Sequence, residues 1–242
     1  MKILIPTAKE LNTQVAQIEP ESLSEQTKLI IQALSQYSVT DLAQLYQIRP
    51  EKAEEEYQRI QELQNETAQT YPALYLFDGL MYRNIKRKDL SNEEERYIRN
   101  HLLITSSLYG VIPALAPIAP HRLDFMTKLK VEKQSLKKLW TETYSQAVAD
   151  QETLLSLLSS EFEEVFPKEV RDKMIRFKFM EEKDGKRKIH STISKKARGQ
   201  FLTGLIEGQI QNIEDIKKLS FSGFAFQENL STDQELVFIK QV

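Results

Sequence analysis

The stretch from Leu102 to Phe125, LLITSSLYGVIPALAPIAPHRLDF, constrains the fold of this chain more than any other. Leu102-Leu103-Ile104 is apolar without a helical period, the pattern of a strand buried on both faces. Ser106-Ser107 and Tyr109-Gly110 then punctuate the chain. Pro113, Pro117 and Pro120 fix φ and donate no backbone hydrogen bond, so the chain beyond stays extended. The expectation is a core strand that emerges into a rigid wall, with His121-Arg122-Leu123-Asp124 as the first polar group after it.

A strand followed by S-x-LYG (Ser106 to Gly110) and then by Pro120-His121-Arg122-Leu123-Asp124 resembles the bacterial peroxide-stress protein family typified by YaaA. Ala8-Lys9, Phe77-Asp78-Gly79 with Tyr82, Trp140, Lys195-Lys196-Ala197-Arg198-Gly199 and Glu235-Leu236-Val237-Phe238 continue the match in order along the whole chain. Two places depart from the family pattern. Pro113-Ala114-Leu115-Ala116 stands where relatives carry Arg-Pro-Leu-Asp, and Pro6-Thr7-Ala8-Lys9 where they carry Ser-Pro-Ala-Lys. The resemblance implies a single-domain fold, a role in lowering iron-driven damage under peroxide, and a helix-hairpin-helix element that binds DNA.

The absence of cysteine among the 242 residues excludes disulfides, thiolate metal sites and thiol redox chemistry, so peroxide is not met by a cysteine of this chain. His101, His121 and His190 are isolated, with no E-x-x-H or H-x-x-x-H pair, so neither a metal nor another cofactor is expected. No G-x-x-x-x-G-K-[ST] loop or G-x-S-x-G elbow is present. No apolar run approaches membrane-spanning length, and a cytoplasmic monomer is the expectation.

A net charge of −2 conceals an uneven distribution. Residues 1–72 hold six Lys/Arg against eleven Asp/Glu, whereas residues 171–198 hold eleven Lys/Arg against four Asp/Glu. The second block is where an anion is expected to bind.

Residues 22–64 read as a helical subregion. Ser22 to Tyr37 forms a first helix, Thr40 caps a second, and Pro50 opens a third that runs through Gln64. The spacing around Ile48, Arg49 and Lys52 resembles a helix-hairpin-helix, although Gln47 and Arg49 occupy its two glycine positions and Glu54-Glu55-Glu56 follow at once. Leu74 to Phe77 reads as a strand, Arg83 to Lys88 as a basic segment, and Ser91 with Glu94 as a capping box.

Asp184-Gly185 signals a hairpin from Lys173 to Ile193. A three-residue loop would align Ile175, Phe177 and Phe179 with Ile189, Ser191 and Ile193, leaving Arg176, Lys178, Lys188 and His190 together on the other face. Lys195, Lys196 and Arg198 would then open a helix, where backbone amides and cations together suit a phosphate.

These readings combine into an α+β fold: one compact domain over residues 1–242, a mixed or antiparallel sheet flanked by helices, and a helix-hairpin-helix-like element near the N-terminus. The first functional expectation is a non-enzymatic protein that holds DNA phosphates with Lys9, Arg122, Arg176, Lys178, Lys188, Lys195, Lys196 and Arg198. Duplex and branched DNA are both open as partners. The alternative is an enzyme or binder that takes a small anionic metabolite in the same cleft, near Ser106, Ser107 and Tyr109. Neither serine has a visible general base, and no catalytic residue is assigned.

Overall fold

Lys2–Pro6 sends alternate side chains into two different cores, and this fixes the architecture. Ile3 and Ile5 enter one apolar cluster and Leu4 the other, all fully buried. A strand covered on both faces belongs in the middle of a layered structure.

The computed structural model describes residues 1–242. Its nine-stranded sheet comprises β1 (Lys2–Pro6), β2 (Leu102–Ser106), β3 (Gly110–Pro113), β4 (Leu154–Ser156), β5 (Met174–Lys183), β6 (Lys186–Lys188), β7 (Ser220–Phe221), β8 (Phe224–Phe226) and β9 (Glu235–Gln241). The longer helices are α1 (Glu25–Leu34), α2 (Val39–Tyr46), α3 (Pro50–Gln64), α4 (Asn92–His101), α5 (Leu136–Ala147) and α6 (Ser191–Glu207). The strand order is β7-β8-β9-β5-β4-β1-β2-β3, with β6 paired to β5.

The sheet is mixed, in one domain of α+β character. Its central block, β9-β5-β4-β1-β2, is parallel throughout; antiparallel pairs flank it, and β6 pairs antiparallel with the end of β5. On one face, α4 and α6 cover Ile3, Ile5, Phe177, Phe179 and Phe238. On the other, α1 and α5 cover Leu4, Leu154 and Met174. Taken in chain order, the parallel strands are arranged 2-1-3-4-5. Their connections therefore reverse direction between β1 and β4, and sheets of this kind open a crevice beyond the carboxyl ends of the two strands at that point.

The apolar reading of Leu102–Ile104 corresponds to β2, and the punctuation after it is a tight turn back into β3. Ser106 Oγ accepts from the amides of Leu108 and Tyr109 at 3.2 and 3.1 Å, closing that turn. Gly110 sits at φ +81° with the Trp140 ring against it; a β-carbon there would lie 2.7 Å from the indole. The expected wall follows. Pro117–Ile118 pairs with Tyr71–Pro72, and the Ala119 amide donates to the Tyr109 hydroxyl at 3.0 Å. His121 is buried between Tyr109 and Phe77, and burial pushes its pKa down to about 4.

Several local expectations are corrected. Ser38, not Thr40, caps α2, because its hydroxyl and the Asp41 carboxylate form a reciprocal capping box. Leu74–Phe77 is not a strand. Ala73–Leu76 makes one helical turn, and the amides of Ala73 and Leu74 reach Ala116 and Ala114 instead of a sheet.

The hairpin has a two-residue turn rather than three. Asp184 and Gly185 both take left-handed φ, +50° and +71°, which matches the natural twist of paired strands. Lys188 therefore pairs with Glu181 and Arg187 with Glu182. The return strand ends at Lys188, and α6 begins at Ser191. Ile193, Ala197, Phe201, Leu202 and Leu205 share a helical stripe, so Ile193 belongs to the helix and not to a strand. Lys195, Lys196 and Arg198 consequently lie in the second turn of α6 and not at its first residues.

Candidate functional site: an anion cleft at the strand ends

A cleft of about 500 Å³ opens beyond the carboxyl ends of β1 and β4, at the reversal point of the sheet. Four segments converge on it. Thr7 to Glu10 leave β1, Ser159 to Phe162 follow β4, Gly79 to Arg83 cross one side, and Arg122 to Asp124 end the proline wall. The remaining side is a face of α6 that presents Ser191, Thr192, Lys195 and Arg198.

Small residues set how closely these segments meet. A β-carbon on Gly79 would lie 2.7 Å from that of Ala8. One on Gly199 would lie 2.2 Å from the Met81 carbonyl oxygen. Ala197 and Gly199, both buried, thus let α6 settle on the Tyr82–Asn84 turn, while Arg198 between them faces the cleft. Thr203 ties the same contact, accepting from the Lys86 amide at 2.9 Å and donating to the Asn84 carbonyl at 3.1 Å.

The charged groups of the cleft divide into paired and unpaired sets. Lys9 Nζ lies 2.6 Å from Asp124 Oδ2, and Arg83 lies 2.6 Å from Glu10. Asp124 Oδ1 also accepts from the Met126 and Thr127 amides and the Thr127 hydroxyl, at 2.9–3.0 Å. Burial works to raise the Asp124 pKa, but Lys9 and Thr127 together hold it below the ordinary value. Burial and then the Asp124 charge raise that of Glu161, whose Oε1 accepts from the Phe125 amide at 2.9 Å. Arg122, Lys195 and Arg198 line the cleft without a carboxylate within ion-pair distance. Burial pulls the Arg198 pKa down against the raising influence of Glu163, as expected for a cation held without a close counter-ion.

The Lys9–Asp124 pair gives a pH-dependent prediction. Because Asp124 is depressed in the folded state, its stabilisation is complete above the unfolded-state pKa of about 3.9 and is lost as pH falls through the lower folded value. Lys9→Met should cost under about 1 kcal/mol at neutral pH, since Lys9 is exposed. The difference from wild type should vanish at the acid end of a urea-unfolding series. A difference independent of pH would contradict this account.

The structure brings together Lys9, Arg122, Lys195 and Arg198 of the cations chosen from sequence. Lys196 is exposed beside them but does not line the cleft. Arg176 Nε is bound to Glu163 at 2.8 Å, and Lys178 lies 3.5 Å from Glu235. Lys188, opposite Glu181, is on the other sheet face from both, so the expected face of four cations does not form. Arg83, Lys86 and Arg87 of the basic segment are all engaged with carboxylates.

Ser106 and Ser107 are fully buried in the β2–β3 turn, and Tyr109 holds the proline wall; none lines the cleft. Ile48 and Arg49 sit where α2 meets α3, with Gln47 left-handed at φ +54°, and Lys52 pairs with Glu55 at 2.8 Å. Sequence reasoning missed Glu161, Asp124, Ser191 and Thr192 as cleft residues. The helical stripe running back from Phe201 to Ile193 was the available signal for the last two. No group of three or more His, Asp or Glu is placed to hold a metal ion, and no helix is long and apolar enough to cross a membrane.

Comparison with known proteins identifies the family. Residues 1–230 match the family described as peroxide stress protein YaaA. A UPF0246 protein of Streptococcus gordonii is 87% identical over 242 residues, covering 100% of this chain and 99% of its own. A UPF0246 protein of Streptococcus pneumoniae strain CGSP14 is 56% identical over 242 residues, with both chains covered completely. The chain belongs to the peroxide stress protein YaaA family.

Proposed function

We propose that this chain serves the peroxide response by binding DNA through phosphate contacts, and that the bound DNA is thereby protected from iron-driven oxidation. One observation carries the reading. The segment from Lys183 to Arg198 is largely exposed, and Lys186, Lys188, Lys195, Lys196 and Arg198 in it have no carboxylate partner within ion-pair distance, whereas Arg187 is paired with Glu182 at 2.7 Å. Free cations on a hairpin tip and the following helix favour a polyanion and recognise its backbone rather than its sequence.

Anisotropy with labelled duplex and branched DNA at two salt concentrations tests this. Wild-type affinity should fall steeply with salt. A Lys186→Ala, Lys188→Ala, Lys196→Ala variant, altered only at exposed side chains, should lower the slope of log K against log salt by roughly one per contact removed. No binding at low salt would overturn the reading.

A second reading, a small anionic ligand, is favoured by the cleft itself. Its volume lies within the range of about 300–1,000 Å³ usual for small-molecule sites. It also lies at the reversal point where doubly wound sheets bind ligands. A duplex could lay its backbone across the mouth but could not enter.

A further inference from the structure

The cleft is not uniformly basic, and its polarity narrows what can occupy it. Lys195 and Arg198 line it from α6, next to the first turn of that helix, and Arg122 lines it from the segment that also carries Asp124, none with a carboxylate within ion-pair distance. His190 precedes that turn and gives it no side-chain cap, so the amides of Ser191 to Ile193 keep their donor capacity at the edge of the cleft. The Lys9–Asp124 pair and Glu161 line the same cleft. Leu80, Met81, Leu123 and Phe162 add an apolar part to its lining.

We infer that the cleft binds a phosphate monoester of about mononucleotide size, its phosphate held by Arg122, Lys195 and Arg198 and its hydroxyl-bearing body by Asp124 and Glu161. The inference rests on the small-ligand reading above and names its ligand class. Three unpaired cations match a dianionic terminal phosphate better than a single carboxylate. The amides and hydroxyls of Ser191 and Thr192 add donors from α6. Glu161 Oε2 and the remaining lone pair of Asp124 Oδ2 can accept from hydroxyl groups, and a second anionic group in the ligand would be repelled there. The phosphodiester of a continuous strand is only singly charged and carries a chain on both sides, so it matches three cations in a cleft of about 500 Å³ less well.

Arg198 gives the test a readout that a structural role would not produce. It has no ion pair to lose, so Arg198→Gln removes a costly unpaired charge and should raise the melting temperature of the free protein while weakening the ligand. Titration calorimetry would use AMP, ribose 5-phosphate, adenosine, inorganic phosphate and citrate, with circular dichroism to check each fold. Expected is saturable binding of at least one of the two esters and none of adenosine. Arg198→Gln and Arg122→Gln should each weaken that ester at least tenfold, with the exposed-charge control Lys138→Ala unchanged.

Neither ester binding at millimolar concentration would overturn the inference, as would binding unaffected by both arginine variants. Inorganic phosphate binding as tightly as the esters would overturn the role given to Asp124 and Glu161. Citrate binding without either ester would leave the small-anion reading standing and overturn the phosphate monoester. A melting temperature lowered by Arg198→Gln would show that arginine to be structural and likewise count against the assignment.

Discussion

Trp140→Ala should cost the folded protein about 3–5 kcal/mol, the range for deleting a large aromatic from a packed core. Trp140 is 1% exposed and touches the chain at its most constrained point. Its indole lies across Gly110, and its Nε1–H donates to the Ser107 carbonyl at 2.8 Å, while Tyr144 on the same helix donates to the Ser106 carbonyl at 2.9 Å. Truncation would open a cavity beneath the β2–β3 turn and leave a buried carbonyl without its donor. Urea unfolding checks this. Trp140→Phe, which keeps an aromatic ring in the core but loses the N–H and part of the indole, should cost less than the alanine variant, roughly 1–3 kcal/mol. A loss below about 1 kcal/mol for the alanine variant would mean that the turn is held by its own hydrogen bonds alone.

The second large effect is expected at Gly199. In an isolated helix, Gly→Ala stabilises by about 1 kcal/mol. Here the new methyl would meet the Met81 carbonyl oxygen at 2.2 Å and the Asn84 backbone carbon at 3.0 Å, neither of which is a flexible side-chain end. α6 must then retreat from the Tyr82–Asn84 turn, with an overpacking cost of about 1–3 kcal/mol or more and the loss of both Thr203 hydrogen bonds. Gly199→Ala should therefore destabilise by a net of roughly 2 kcal/mol, and it should weaken binding in the cleft, because Lys195 and Arg198 ride on the displaced helix. Gly204→Ala is the control. Its methyl would meet only the Leu219 side chain, at 3.2 Å, and should cost much less. Equal effects at the two glycines would contradict the close-contact argument.

What could be read from the sequence followed the strength of local signals. Pro50 and the stripe behind it gave α3 with its correct ends, and Ser91 with Glu94 gave the start of α4. The apolar run at Leu102 gave the buried strand. The hairpin register failed because Ile189, Ser191 and Ile193 alternate like a strand. The helical period that claims Ile193 becomes visible only when the stripe is followed as far as Leu205. Once the chain turned at Lys188, the face of four cations could not exist.

The cleft was legible in part. Lys9, Arg122, Lys195 and Arg198 carry charge that a sequence displays. Whether a charge is already neutralised is a long-range fact: Arg176 meets Glu163 and Arg83 meets Glu10 only after folding.

The central position of β1 has a consequence for the order of assembly. The strand earliest in these residues takes Leu102–Thr105 on one edge and Leu154–Ser156 on the other. One of its edges thus lacks a sheet partner until about two-fifths of these residues have been made, and the other until about two-thirds. Closure of such distant, parallel pairs is entropically slow, so refolding is expected to lag behind that of a helical protein of equal length. During that interval Ile3, Leu4 and Ile5, fully buried in the finished fold, are apolar surface open to association with other chains.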